Sequence, residues 1–73
     1  MSFRVHAISP TDDRWEERDQ RITKSAGRKA DRIERGRERC EYSWAVAGFE
    51  DAVRMRKRLA EVEGVKATLQ EAM

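Results

Sequence analysis

The chain contains one histidine and one cysteine, the side chains that most often act as general base or nucleophile near neutral pH. His6 lies in a segment that alternates apolar and polar residues, and a lone histidine on a strand is typically structural or solvated. Cys40 has two basic neighbours in the sequence, Arg37 and Arg39, which can favour a thiolate, but its alternation with Tyr42 and Trp44 points it inward. We expect no catalytic residue. An enzyme that uses His6 or Cys40 is a third hypothesis on function, after the two binding hypotheses given below.

Metal and phosphate chemistry have little support in the sequence. A single cysteine excludes an intrachain disulfide and every multi-cysteine zinc pattern. Gly27 and Gly36 lack the flanking strand, helix and Lys-Ser/Thr pair of a phosphate-binding loop. We therefore expect neither a metal site nor a cofactor.

The strongest functional signal is a basic segment, residues 21–39, which holds eight basic and three acidic side chains and a balance of +5. The whole chain carries only +2, and the flanking ranges 1–20 and 40–73 are slightly acidic. A local excess of this size can attract an anionic partner. Its basic residues are Arg21, Lys24, Arg28, Lys29, Arg32, Arg35, Arg37 and Arg39.

The basic segment has three interpretations. It forms a solvated edge that keeps the protein soluble, or it contacts an acidic protein surface, or it contacts a nucleic-acid backbone through phosphates. The acidic residues Asp31, Glu34 and Glu38 interrupt the field and favour a patterned protein contact over a phosphate track. Trp15, on a helix with few other apolar residues, is either the anchor of that helix or an exposed contact for a partner.

Hydrophobic periodicity predicts the elements that position these residues. Residues 3–8 alternate as a half-buried strand, and a helix starts near residue 12 behind candidate caps in 11–13. Gly27 ends that helix, because a helix reaching residue 39 would be about 42 Å long, far more than a strand of about 20 Å can support. Residues 29–35 then read as a short polar strand, with a basic loop or helical extension over 27–39 as the alternative.

The second half of the chain has clearer patterns. Residues 40–48 form the longest apolar strand, and a helix begins near Glu50 with apolar residues at three- and four-residue spacing. Gly64 is predicted to be the residue just after that helix, where a left-handed conformation is common. Residues 65–71 alternate again as the last strand.

The run from Trp44 to Val65 resembles the strand, helix and strand that form the second half of many ferredoxin-like domains. The resemblance implies a small α+β sandwich with the order β-α-β-β-α-β, an antiparallel sheet and two helices on one face. Strands 3–8 and 40–48 would be central, and the polar strand 29–35 would lie at an edge. Alternation places the aromatic residues under the helices, which argues against an RNA-recognition module that stacks bases on its open face.

Composition limits the protein class. The chain has 73 residues, 38% of them hydrophobic and 41% charged, which predicts one small domain over 1–73. No apolar run is long enough to span a membrane, so we expect no membrane contact and a cytoplasmic location.

We expect a non-enzymatic binding protein that docks on a larger protein or nucleoprotein through the basic segment and Trp15. Phage-encoded inhibitors such as anti-CRISPR proteins are of this type. The alternative is a nonspecific module that binds DNA or RNA phosphates. Pairing of the chain into a homodimer is left open.

Overall fold

The computed structural model of the protein describes residues 2–72, which form four strands and two helices in the order β-α-β-β-α-β. The strands make one antiparallel sheet with the order β2-β3-β1-β4. The predicted ferredoxin-like α+β fold class is confirmed. The elements are β1 (Ser2–Pro10), α1 (Trp15–Ala26), β2 (Arg32–Arg35), β3 (Arg39–Val46), α2 (Phe49–Ala60) and β4 (Lys66–Ala72).

The two most apolar strands occupy the centre of the sheet. Val5 of β1 pairs with Trp44 of β3, and Ala7 pairs with Tyr42; all four side chains are buried. Successive residues of a strand point to opposite faces, so the residues between them lie on the face that no helix covers. The predicted assignment of the aromatic residues of β3 to the helix-covered face is confirmed.

Helix α1 begins at Trp15, three residues later than predicted, because Asp12 organises the turn before it. The Asp12 carboxylate accepts a hydrogen bond from the Arg14 N–H at 3.0 Å and forms an ion pair with Arg18 at 2.9 Å. Hydrogen bonding from Arg18 lowers the pKa of Asp12. The helix ends at Ala26 and, as predicted, Gly27 terminates it; the φ of Gly27, +86°, lies in the left-handed region that glycine adopts without strain.

Several other predicted boundaries also differ from the structure. Residues 29–31 belong to the loop before β2, and β3 ends at Val46 instead of residue 48. Helix α2 ends at Ala60, so Gly64, with φ of +83°, lies in the turn that leads to β4 and does not directly follow the helix. Short turns of this kind follow local hydrogen bonds that periodicity does not report.

Both helices cover the same face of the sheet, but they are anchored to different degrees. Helix α2 buries Ala52 and Leu59 and packs on β1 and β4. Helix α1 buries Ile22 alone, and Trp15 is half-buried. Within residues 2–72, neither helix is long and apolar enough to cross a membrane.

Replacing Ile22 with Ala is expected to lower the free energy of unfolding by about 2–5 kcal/mol, because it removes the one buried side chain of α1. Urea denaturation followed by tryptophan fluorescence measures this loss. The matched control is Ile33→Ala, the same change at a half-buried position of the edge strand β2, where a smaller loss is expected. Equal losses at the two positions would contradict the role of Ile22 as the anchor.

Candidate partner-binding surface

Trp15 and Arg35 face each other across the gap between α1 and β2. The Arg35 guanidinium carbon lies 5.2 Å from the centre of the Trp15 ring, a cation–π contact. Arg35 also donates a hydrogen bond to Asp19 Oδ1 at 3.0 Å, and the Tyr42 hydroxyl donates to the same oxygen at 2.7 Å. Burial, and then the bond to Asp19, raise the pKa of Tyr42. Two of the predicted partner-binding residues therefore hold α1 to the sheet.

Arg28 makes its contacts near the C-terminal end of β3. Its guanidinium donates to Asp31 Oδ1 at 3.0 Å and to the Ala45 carbonyl, while the Ala45 N–H donates to Asp31 Oδ2 at 2.7 Å. The Trp44 indole N–H donates to the Arg28 carbonyl at 3.0 Å. The Ala45 N–H, and then Arg28, lower the pKa of Asp31. Arg28 is thus also committed to internal contacts.

Arg21 and Arg32 form ion pairs on the surface. Arg21 lies 3.5 Å from Glu17, and Arg32 lies 2.7 Å from Glu34; the arginine side chains are 62% and 74% exposed. Exposed pairs of this kind contribute about 0–1 kcal/mol, so each arginine can exchange its carboxylate for one on a partner at little cost.

The other four predicted cations are all exposed, and none forms an ion pair with a residue in the described range 2–72. Lys24 lies in the last turn of α1, and Lys29 lies in the loop that follows. Arg37 lies in the turn between β2 and β3, and Arg39 is the first residue of β3; the two are here called the hairpin arginines. The structure therefore distributes the basic segment around the molecule and does not gather it into one patch.

The hairpin arginines stand on a backbone that three hydrogen bonds hold in place. The Gly36 N–H donates to the Arg39 carbonyl at 2.9 Å and closes the turn. Thr11, which follows β1, donates its N–H to the Glu38 carbonyl at 3.0 Å and its hydroxyl to the Gly36 carbonyl at 2.9 Å. The two guanidinium groups consequently start from fixed positions, which reduces the entropy lost when they bind a partner.

A second basic group lies between the helices; the sequence indicated its members Arg21 and Lys24 but not Arg58. Arg21, Lys24 and Ser25 of α1 line a shallow groove of about 660 Å³ together with Arg58 of α2. We call it the helix groove; Glu61, Val62 and Glu63 complete its lining. Four of the five residues in 54–58 are basic, but the nearby glutamates cancel this run when charge is summed over 40–73.

The lone histidine and the lone cysteine lie in different surroundings. His6 is half-buried on the open face of the sheet, in a shallow depression of about 150 Å³. Cys40 is only 1% exposed, and its Sγ lies 3.4 Å from Thr11 Oγ1, so its predicted inward orientation is confirmed. Residues 2–72 contain no group of three or more histidine, cysteine or acidic side chains placed to bind a metal.

The hydrogen bonds that the Asp31 carboxylate accepts from the Ala45 N–H and from Arg28 predict a pH-dependent stability. Because the pKa of Asp31 is lowered in the folded protein, its charged form stabilises the fold above the unfolded pKa, and this contribution is lost as pH falls below about 3.8. We expect Asp31→Asn to be less stable than the natural chain at pH 7, and the two unfolding curves to converge at acid pH. Urea denaturation at a series of pH values measures both.

Glu38→Gln is the control for this prediction, since the exposed Glu38 side chain makes no hydrogen bond or ion pair within residues 2–72. Its stability should follow that of the natural chain at every pH. A constant difference between Asp31→Asn and the natural chain across the whole pH range would show that the charge of Asp31 does not contribute.

Comparison of the chain with known protein families, curated proteins and solved structures finds no match to any of them.

Proposed function

We propose that the protein acts by binding, and that the hairpin arginines dock it on an acidic surface of a larger protein or nucleoprotein. The observation that carries this proposal is the pair Arg37 and Arg39: both are exposed, both lack an ion pair within residues 2–72, and both stand on a hydrogen-bonded turn. Arginine suits this role, since its planar guanidinium can bind a carboxylate through two parallel hydrogen bonds.

The charges around the turn support a patterned contact. Glu34, Glu38 and Glu41 lie in or beside the shallow groove of about 570 Å³ that contains the hairpin arginines. A partner must therefore place carboxylates against the two guanidinium groups and avoid the neighbouring glutamates. Such alternation gives specificity, because a misaligned partner meets a like charge.

A continuous phosphate track has weaker support. Arg28 and Arg35, two of the arginines that would form it, are tied to Asp31 and Asp19. Strand alternation adds a second obstacle, because Arg32 pairs with Ser43 on the open face while Arg35 pairs with Cys40 on the helix-covered face. Cations on opposite faces of a sheet cannot follow one nucleic-acid backbone.

One specific form of this proposal is a phage-encoded inhibitor of a host defence complex, such as an anti-CRISPR protein. A small charged domain with a fixed basic turn can cover an acidic site on a larger machine. This form requires that the partner be a host complex and that its activity fall when the protein binds.

The test is affinity purification of the tagged protein from its native host, with the double variant Arg37→Glu/Arg39→Glu in parallel. We expect the natural chain to retain a specific partner and the variant to lose it by about tenfold or more, equivalent to ~1.4 kcal/mol or more of binding free energy. Quantitative mass spectrometry of the eluates measures the ratio.

The matched control is Arg54→Glu/Lys57→Glu, which changes net charge by the same amount at exposed positions of α2. It should retain the partner. If the hairpin variant keeps the partner as well, the hairpin arginines are outside the interface, and Arg21→Glu/Lys24→Glu then tests the helix groove in the same assay.

The protein is expected to show no measurable binding to a labelled DNA duplex of about 30 base pairs or a single-stranded RNA at micromolar concentration and about 50 mM salt. Fluorescence anisotropy measures this directly. Binding that weakens steeply as salt rises would contradict the proposal and support the nucleic-acid alternative, since phosphate contacts release counterions.

A further inference from the structure

The two edges of the sheet differ in how well they resist pairing with another strand. β2 has only four residues, and three of them are charged. Shortness and charge are two common means by which an edge strand avoids pairing with another chain. β4 has seven residues, its charged side chains are confined to Lys66 and Glu71, and the stretch between them is uncharged. By the same physical criteria, β4 is an open edge.

The hydrogen-bond pattern shows which β4 residues offer backbone groups at this edge. The Thr11 N–H donates to the Glu38 carbonyl, and this pair continues the register that joins Pro10 to Arg39. In an antiparallel sheet, successive residues of a strand bond alternately to the neighbour on one side and to the neighbour on the other. Since the odd-numbered Thr11 bonds on the β3 side, the odd residues of β1 bond to β3 and the even ones bond to β4. The even residues of β1 pair with residues 66, 68 and 70. Residues 67, 69 and 71 therefore point their N–H and C=O groups away from the sheet.

We propose that a second copy of the chain pairs with β4 in antiparallel fashion, with Leu69 of the two copies on the twofold axis. This register uses the whole strand. It places Leu69 opposite Leu69, Thr68 opposite the second copy's Gln70, and Ala67 opposite the second copy's Glu71. The two sheets join into one continuous sheet of eight strands.

Three features of β4 fit a second copy as the occupant. Each of the three pairs formed by residues 67, 69 and 71 can make two hydrogen bonds, so every outward backbone group of these residues finds a partner. No two like charges lie opposite each other, since Glu71 faces an alanine. Leu69 is half-buried on the helix-covered side, and in the dimer the Leu69 of the second copy would cover its remaining exposed surface.

Sedimentation equilibrium of the natural chain over a range of concentrations tests the pairing. We expect the apparent mass to rise from the monomer value of 8.5 kDa towards twice that value as concentration increases to about 1 mM. A mass that stays at 8.5 kDa throughout would overturn the proposal, and β4 would then be an edge open only to other proteins or to none.

Two double variants at the same exposed positions test the pairing through β4. Thr68→Lys/Gln70→Lys places lysine opposite lysine twice, so it should remain a monomer. Thr68→Lys/Gln70→Glu places lysine opposite glutamate twice, so it should form dimers at least as well as the natural chain.

Circular dichroism and thermal denaturation confirm that each variant is folded before its mass is measured; both side chains are exposed, so the monomer should tolerate these changes. A folded lysine–lysine variant that still forms dimers would move the interface away from β4. If that variant does not fold, the lysine–glutamate variant decides alone: a monomeric mass under conditions where the natural chain is dimeric would refute the Leu69 register.

Discussion

Asp19 Oδ1 accepts hydrogen bonds from both Tyr42 of β3 and Arg35 of β2, and this shared oxygen connects α1 to those two strands. The connection matters because α1 has one buried side chain and none of its Cα atoms comes within 8 Å of a Cα atom of β2 or β3. Long polar and aromatic side chains bridge that gap. Their contacts fix the end of β2, and through it the turn from which the hairpin arginines project.

Local periodicity was sufficient to predict most of the fold. Strand alternation identified the buried faces of β1 and β3, including Cys40 and Trp44, and Gly27 marked the end of α1. These features depend on near neighbours in the chain. The short length of β2 and the position of Gly64 depend on hydrogen bonds in turns, which hydrophobic periodicity does not report.

The candidate surface was harder to predict, because the availability of a charge depends on contacts between residues distant in the chain. Arg28 is occupied by a carbonyl of β3, and Arg35 is occupied by a carboxylate and an indole ring of α1. Counting charges along the sequence treats these arginines as equal to Arg37, which has no such partner within residues 2–72. The same counting concealed Arg58, because the glutamates that follow it cancel its charge. Net charge by segment located the basic region but did not identify its available members.

The position of β1 in the sheet has a consequence for how the chain folds. β1 pairs on one side with β3 and on the other with β4, so its two partners come from the middle and the end of the described chain. Each of these two pairings closes a large loop of the chain before its own inter-strand hydrogen bonds can form. Proteins with such non-local pairings fold slowly compared with helical bundles of similar size. The β2–β3 hairpin is the one pair of strands joined locally within residues 2–72. We therefore expect β1, one of the two central strands of the native sheet, to be among the last to find its neighbours.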